Sequence, residues 1–488
     1  MTLAGTPAAA TTTTPTTGRR KMAPPAKASC TGVLAVCALL LIPTVRAQED
    51  TRLRLPVHGA AGDETAVALT PRGRAADVTT LDLDAGVGES DNIFRRQLDK
   101  QSQTFALVGA DFELRRAGAR LDADLKGDFN YIDYLQNAFG NQLLGRFDGS
   151  AGWQILPERL RWTLEDNFGE AQIDPLAAVT PANLEHVNVV YTGPDLTLKP
   201  SQSTFVRLSA RDGYTSYQTS PFNNNRIIGA VAVGAEPSLA STLSLNVNYQ
   251  RIRFSDTAIN SDYDRRTLYG AYATRGSRTQ LILNLGASQV DEGGSWRTTP
   301  LARLQLIRTL SAASLLELDA GRQYTDASDS FRGLQSGALN RIVLAPATGT
   351  TSNYLDQYAT LAWRYARGRT SFNVSAGYER NTYPTTAVFD VDRVSGEVSL
   401  ARRMTSALTL DVSGRAARES YFGQGFKDND YLASAGLSYR AGRKLSVRLH
   451  FDHESRVVSS GGFGFVENRG MLTVGYLVLG PAVAAPPP

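Results

Sequence analysis

Apolar and polar residues alternate along the stretch ARLDADLKGDFNYIDYL, from Ala119 to Leu135. Apolar side chains and glycine take every second position up to Tyr131, and charged or amide side chains take the positions between them. At 100° per residue the apolar positions would scatter around a helix, whereas at 180° they form one face of a strand. The stretch exceeds the five or six residues usual in soluble sheets and is closer to the roughly 9 to 11 that cross a bilayer at a tilt. The pattern therefore predicts a strand with one apolar and one charged face.

The same alternation recurs about every 20 residues from residue 80 onward and predicts some twenty strands, with no helix among them. Short connections such as 115–118 and 156–159 alternate with long ones such as 90–103 and 327–351. Tight turns at one rim and long loops at the other are typical of an outer-membrane barrel. We therefore expect an all-β fold: a transmembrane antiparallel β-barrel of about 20 strands (18–22) in the outer membrane of a Gram-negative bacterium, with short periplasmic turns and long extracellular loops.

Aromatic residues near the predicted strand ends support this architecture. On the alternation they share the outward face, where an interfacial girdle would place them. The predicted girdle consists of Tyr131, Trp153, Trp162, Tyr191, Tyr249, Trp363, Tyr378, Tyr439 and Tyr476.

The N-terminal segment has a different composition. A basic patch at 19–21 precedes the apolar run 33–43, and Val45-Arg46-Ala47 fits signal-peptidase cleavage after Ala47. We predict a signal peptide over 1–47, with Met22 as an alternative start, a periplasmic arm over 48–79, the barrel over 80–480 and a disordered tail over 481–488. No later segment has the 18 consecutive apolar residues of a membrane-spanning helix.

Composition narrows the chemistry further. Both cysteines, Cys30 and Cys37, fall in the predicted signal peptide, which excludes cysteine catalysis and cysteine metal sites from the mature chain. The net charge is +4, with basic residues interleaved with acids rather than forming a stripe, so nucleic-acid binding has no support. No metal site and no cofactor are predicted.

Charged side chains on the predicted inward face are the main candidates for function. Rings of charge set selectivity in pores, although charges of both signs can equally pair and close the lumen. The predicted lumen-lining residues are Arg120, Asp122, Asp124, Lys126, Asp128, Arg146, Asp148, Arg161 and Glu165.

The longest connection, 327–351, carries apolar residues that would be costly on an exposed loop, among them Phe331, Leu334 and Leu339. A twenty-stranded barrel is too wide for its own wall to fill. We expect this loop to fold into the lumen as a constriction or to pack on the rim, with an unstructured surface loop as the alternative.

A barrel enzyme that acts on lipid or sugar is one alternative for this chain. The predicted mature chain has four histidines, of which His450 and His453 flank Asp452, but the alternation puts these two on opposite faces. No Gly-x-Ser-x-Gly or paired metal-ligand motif is present. We therefore predict no enzyme and no catalytic residue.

The run from Arg159 to Leu196, RLRWTLEDNFGEAQIDPLAAVTPANLEHVNVVYTGPDL, together with GVGESDNIFR at 86–95, resembles outer-membrane β-barrel porins that include EpsL-type proteins of exopolysaccharide biosynthesis operons. The resemblance is specific over 80–215. One departure is the tail after Leu479. Such barrels often end on an aromatic residue, and here Tyr476 would have to take the place of that terminal residue. The motif residues are Trp162, Asp166, Phe168, Gly169, Asn183, Asn188, Gly193, Pro194 and Asp195.

Together these features predict a porin-like barrel that passes polar solutes or assists exopolysaccharide export through a mixed-charge lumen. The alternative is a structural or anchoring barrel with a plugged lumen that binds surface polysaccharide or a periplasmic partner. Expected partners are outer-membrane lipid, polysaccharide, periplasmic export components and the outer-membrane assembly machinery.

Overall fold

The computed structural model describes residues 77–174, 176–335, 353–384, 387–459 and 464–480, without the side chains of residues 333–335 and 424. The predicted signal peptide, nearly all of the predicted periplasmic arm and the predicted C-terminal tail lie outside the described residues. No helix within the described ranges is long and apolar enough to cross a membrane.

Twenty antiparallel strands form one closed barrel, as the alternation predicted. Each strand pairs with its neighbours in sequence, and β20 pairs with β1 from Leu81↔Leu479 to Ser90↔Arg469. Closure satisfies the backbone groups that an open sheet edge would leave unpaired in hydrocarbon. The strands are β1 Val78–Ser90, β2 Gln103–Ala117, β3 Leu121–Tyr134, β4 Gln142–Leu156, β5 Leu160–Gln172, β6 Leu184–Leu198, β7 Thr204–Tyr217, β8 Asn224–Ser238, β9 Ser241–Phe254, β10 Tyr263–Arg275, β11 Thr279–Glu292, β12 Ser295–Ser311, β13 Ser314–Thr325, β14 Tyr354–Arg367, β15 Thr370–Thr382, β16 Val391–Arg403, β17 Leu408–Tyr421, β18 Phe426–Ala441, β19 Leu445–Val458 and β20 Phe465–Leu479.

The connections define two rims. Those after the even-numbered strands are two to five residues long, and we call this end the turn rim; the opposite end is the loop rim. The predicted alternation of short and long connections fails at two places on the loop rim, because Gly293-Gly294 alone joins β11 to β12 and the four residues 422–425 join β17 to β18. Both glycines have positive φ, the conformation that a two-residue hairpin needs and that Gly adopts without strain.

Among the described residues one helix, α1 (Ala327–Gln335), interrupts the all-strand pattern between β13 and β14. The sequence prediction had no helix, and this part of it is wrong. Three single 3-10 turns, Pro181–Asn183, Ala387–Phe389 and Phe422–Gln424, lie in loop-rim connections.

The outward face of the wall is apolar and exposed. On β8, Ile227 is 60% exposed whereas its neighbours Arg226 and Ile228 are each 1% exposed. Large apolar side chains exposed over most of a wall are not tolerated in water and suit hydrocarbon. Of the predicted girdle residues, Tyr131, Trp153, Trp162, Trp363, Tyr378, Tyr439 and Tyr476 are exposed.

Tyr191 was assigned to the wrong face, because it is fully buried. Its neighbours on the same face of β6, Val187 and Val189, are also buried, in a cluster that includes Phe331 of α1. The assignment failed because the inner face of β6 is apolar where α1 packs, so hydrophobicity does not distinguish the two faces of this strand.

Candidate functional site

The helix α1 lies inside the barrel. Its residues contact side chains of β5, β6, β8, β10 and β14, through Glu165, Tyr191, Arg226, Arg265 and Tyr354 respectively. A nine-residue helix is only about 13.5 Å long, and these strands span half of the circumference. From outside, a convex wall would offer such a helix only adjacent strands. The contacts therefore require that α1 sits in the lumen.

The first turn of α1 is held by a buried cluster of four charges, which we call the latch: Arg226, Arg265, Asp326 and Asp329. The Arg226 guanidinium donates to both Asp326 carboxylate oxygens at 2.9 and 3.0 Å. Arg265 donates to Asp326 Oδ2 at 3.4 Å and also to Asp329. The exposed fraction of each side chain is 4% or less. Two cations thus face two anions inside the lumen.

Neutral groups complete the latch. The Tyr263 hydroxyl donates to Asp326 Oδ2 at 2.7 Å. Gln250 and Asn224 accept from the two arginines, at 2.6 Å from Arg265 and 2.8 Å from Arg226. Burying a charge is costly unless it is paired and hydrogen-bonded, and these contacts meet that condition.

Asp326 also caps the N-terminus of α1. Its Oδ1 accepts from the backbone N–H of Asp329 at 3.0 Å, and its carbonyl accepts from the N–H of Ser330 at 3.0 Å. A carboxylate at this position caps a free backbone donor and interacts favourably with the helix dipole. Burial alone would raise the pKa of Asp326, but Arg226 and Arg265 hold it well below its usual range. Asp326 is therefore ionised in the docked helix.

The rest of α1 contacts the inner face of β5, β6 and β8. Phe331 is buried against Val187, Val189 and Ile228. Arg332 pairs with Glu165 and lies 4.4 Å from the centre of the Tyr191 ring. Of the predicted constriction residues, Phe331 therefore packs against the inner wall. The side chain of Leu334 and the whole of Leu339 lie outside the described residues.

A second segment, described at 173–174 and 176–183, extends across the loop rim. Leu176 packs against the cluster of Val391, Tyr421 and Phe426, and Arg456 of β19 donates to the Ala177 carbonyl at 3.3 Å. These partners lie on β16 to β19, across the barrel from β5 and β6, which the segment connects. The segment therefore bridges the mouth of the lumen.

Asn183 shapes this segment. Its amide donates to the carbonyls of Asp174 at 2.9 Å and Ala178 at 3.1 Å, and its Oδ1 accepts from the Asp174 N–H at 2.8 Å. Three bonds from one side chain fold the segment back on itself. This gives a physical role to Asn183, which the resemblance had marked as a motif residue.

The other motif residues serve the wall of β5 and β6. Asp195 accepts two bonds from Arg211, both at 2.8 Å, and Trp162 donates to Thr192 at 2.8 Å on the outer face. A Cβ on Gly193 would lie 2.0 Å from the Ala210 carbonyl oxygen, which leaves room only for glycine. Pro194 follows it in β6 and Gly169 is buried in β5, while Asp166, Phe168 and Asn188 share the outer face with Trp162.

The predicted lumen-lining residues share the face of Glu165, which contacts α1, with one exception. Cross-strand partners lie on one face, and the register joins Asp124 to Ser150 and Ser150 to Glu165. The residues so placed are Asp122, Asp124, Lys126, Asp128, Arg146, Asp148 and Arg161. Arg120 lies in the exposed turn before β3 instead of on a strand.

Several of these charges are paired along the wall. Asp122 binds Arg161 at 2.6 Å and Asp124 binds Arg115 at 3.1 Å. Such half-exposed pairs are worth about 0–1 kcal/mol each. They order the wall without closing it, whereas the buried latch fixes a segment inside the lumen.

The candidate metal and catalytic groups give no assembled centre. In the described part of the chain no three His, Cys, Asp or Glu side chains are grouped to hold a metal ion. His450 contacts Asp452 at 3.0 Å, while His453 is on the other face of β19 and contacts Asn468 at 2.7 Å.

Comparisons with known proteins agree with this architecture. Residues 325–476 match the family described as "Putative beta-barrel porin 2". This part of the chain is similar to that porin family. The matched third of the chain comprises α1 and β14 to β20, and excludes the residues on which the EpsL-type resemblance was based. No curated protein matches the sequence.

Several solved structures are similar to this chain at low identity. OccK2 (OpdF) of Pseudomonas aeruginosa is 11% identical over 82% of this chain and 98% of its own, with a TM-score of 0.37. The FrpB iron transporter of Neisseria meningitidis is 9% identical over 83% of this chain and 82% of its own, with a TM-score of 0.39. The copper transporter OprC is 10% identical over 84% of this chain and 81% of its own, with a TM-score of 0.42. At these values the argument for function rests on the chain's own residues.

Proposed function

We propose that this protein is an outer-membrane pore for polar solutes, and that α1 closes it until the latch is released. The observation that carries the proposal is the placement of α1 in the lumen, held by Arg226 and Arg265. A permanently filled barrel would be served by apolar packing of the same volume, since a buried ion pair is often no more stabilising than hydrophobic residues in its place. A latch of opposite charges can instead be released as a unit and re-formed.

The charges on the inner wall support a hydrated path. Asp122, Asp124 and Lys126 on β3 are each 40 to 47% exposed at the side chain. Side chains of both signs beside water favour passage of polar solutes over a strong preference for anions or cations. When α1 leaves, the path would be bounded by these residues and by the 173–183 segment at the mouth.

The solute we propose is a polar glycan of the kind exported by exopolysaccharide systems. This part rests on the resemblance over 159–196 to EpsL-type proteins, and it brings periplasmic export components as partners and the loop rim as the extracellular side. The anchoring alternative has support too, because a latched α1 blocks conduction unless something displaces it.

Planar-bilayer recording separates these functions. Purified residues 48–488 would be compared with the same chain lacking 327–351. Silence that becomes steady conductance on deletion is the result expected of a plugged pore. Steady conductance in both forms would mean that α1 does not close the pore. Silence in both would refute transport and favour the anchoring barrel.

Addition of purified exopolysaccharide to the deleted form then tests the solute. Reversible blockade of the ionic current from one side would support glycan passage. Current that is insensitive to the polymer would limit the pore to small polar solutes.

A further inference from the structure

The ladder between β4 and β5 stops short of the loop rim. Its last pair is Phe147↔Phe168. Beyond that pair, residues 142–146 of β4 pair only with β3, and residues 169–172 of β5 pair only with β6. We call this stretch, where no backbone ladder joins β4 to β5, the seam.

Side chains replace the missing ladder. The backbone N–H of Gly145 donates to Glu170 Oε1 at 2.6 Å, and the Leu143 carbonyl contacts His186 Nε2 at 2.8 Å. Both backbone groups belong to the edge of β4 that faces β5, as the register of Phe147 indicates. Two side chains, which are 3.9 Å apart, thus bridge an edge that backbone bonds close elsewhere.

A second ladder, between β12 and β13, also ends early, at Ala302↔Arg322. There the cause is visible, because Pro300 has no N–H to donate. The seam has no proline in 142–146 or 169–172. Its interruption therefore does not follow from a missing backbone donor.

Apolar surface lies on both sides of the seam. On the outer face the last ladder pair belongs to an aromatic cluster, with Phe129 and Phe168 at 6.1 Å and Phe112 and Phe147 at 6.2 Å between ring centres. On the inner face Ala171, at the edge of the seam, is fully buried in the cluster with Phe331. Elsewhere on the inner wall, as on β3, the corresponding positions are charged.

From this geometry we propose that the seam is a lateral gate through which a single-chain amphiphile passes between the membrane and the apolar inner surface beneath α1. An acyl chain matches the aromatic cluster outside and Val187 and Val189 inside, and a polar head can remain beside Glu170 and His186. No backbone ladder crosses the seam, so opening it breaks side-chain contacts, among them those of Glu170 with Gly145 and of His186 with Leu143. The proposal shares the plugged lumen with the proposed function but does not need ion conduction.

A disulfide across the seam tests the gate. Leu144 and Ala171 would be partners if the ladder continued, so L144C/A171C locks the seam, while A151C/L164C crosslinks a pair within the intact ladder. The full chain, in phosphatidylcholine vesicles, is irradiated with a diazirine fatty acid, and labelled peptides are mapped by mass spectrometry.

In the reduced proteins we expect labelling of the inner peptide that contains Val187 and Val189, and of the outer face at Phe129. Oxidation of L144C/A171C should abolish only the inner labelling, and reduction should restore it. Oxidation of A151C/L164C should change neither. Inner labelling that survives the lock, or that is absent from both reduced proteins, would overturn the gate.

Single substitutions give a second measurement if the double variant does not fold. Glu170→Ala removes the acceptor for Gly145 and should increase inner labelling, whereas Glu170→Gln keeps an oxygen there and should resemble the parent. Glu158→Ala, in an exposed turn, is the control. Equal labelling in Glu170→Ala and Glu158→Ala would contradict the proposal. Ionic current is recorded in parallel, so failure of the gate and failure of the pore are distinguishable.

Discussion

Asp326→Asn isolates the charge of the latch from its geometry. The amide keeps an oxygen that can cap the Asp329 N–H, so the first turn of α1 retains its cap. What disappears is the negative charge between Arg226 and Arg265. Both guanidiniums stay buried, and one carboxylate, Asp329, remains to pair with them.

The expected cost follows from burial. Removing one partner of a buried ion pair typically costs about 3–5 kcal/mol, because the remaining charge is left uncompensated. At about 1.4 kcal/mol per factor of ten, a loss of ~4 kcal/mol raises the ratio of released to docked α1 nearly a thousandfold. This free energy is lost from the docked state alone, because the side chain of residue 326 is hydrated when α1 is released.

The assay is the open probability of single channels formed by residues 48–488. Asp122→Asn is the matched control, because it makes the same change of charge in the wall pair with Arg161, where both side chains are more than a third exposed. That pair is worth at most about 1 kcal/mol, so the control should shift the ratio less than about sixfold. Equal open probabilities in Asp326→Asn and Asp122→Asn, in barrels that both resist unfolding by SDS, would refute the latch.

The other predictions concern the same elements. Open probability should not change between about pH 5 and 8 and should rise only below about pH 4. The pKa of Asp326 is lowered in the docked state, so the stabilisation that its charge gives to docked α1 is complete above the ordinary value near 3.9 and is lost as pH falls. A transition near pH 6 in channel recordings would contradict this. Asn183→Ala removes three hydrogen bonds of about 1 kcal/mol each and should accelerate proteolytic cleavage within 173–183 while the thermal midpoint of the barrel stays unchanged. Gly193→Ala should destabilise the barrel by about 1–3 kcal/mol in urea unfolding, because its Cβ meets the Ala210 carbonyl, whereas Gly229→Ala has open space and serves as the control.

The strands and the closed barrel could be predicted because period-two alternation persists wherever one face meets lipid and the other meets charge. Alternation could not distinguish the inner from the outer face of a strand on which both faces are apolar, as on β6. For this reason Tyr191 was wrongly assigned to the outer face. The contact that decides its face comes from Phe331, which is distant in sequence. Pairing registers, and with them the seam, likewise depend on tertiary structure.

The helix was missed for a local reason. Ala327–Gln335 contains two serines, an aspartate and a glycine, which have modest or poor helix propensity, and it is too short for a clear 3.6-residue period. One signal was available: Asp326 and Asp329 have the spacing of a cap and an acidic third residue at a helix start. Their partners Arg226 and Arg265 could not have been named, because both lie on wall strands among many other arginines.

The position of α1 in the chain bears on how the barrel assembles. Its partners Glu165, Tyr191, Arg226 and Arg265 all precede it, and among the contacts that place it in the lumen only Tyr354 follows it. If the strands pair in chain order, a sheet of thirteen strands is still open when α1 docks on its concave side, and the ion pairs then draw β5 and β10 towards each other. The plug would act as a template for curvature, and the last seven strands would close around a lumen that is already occupied.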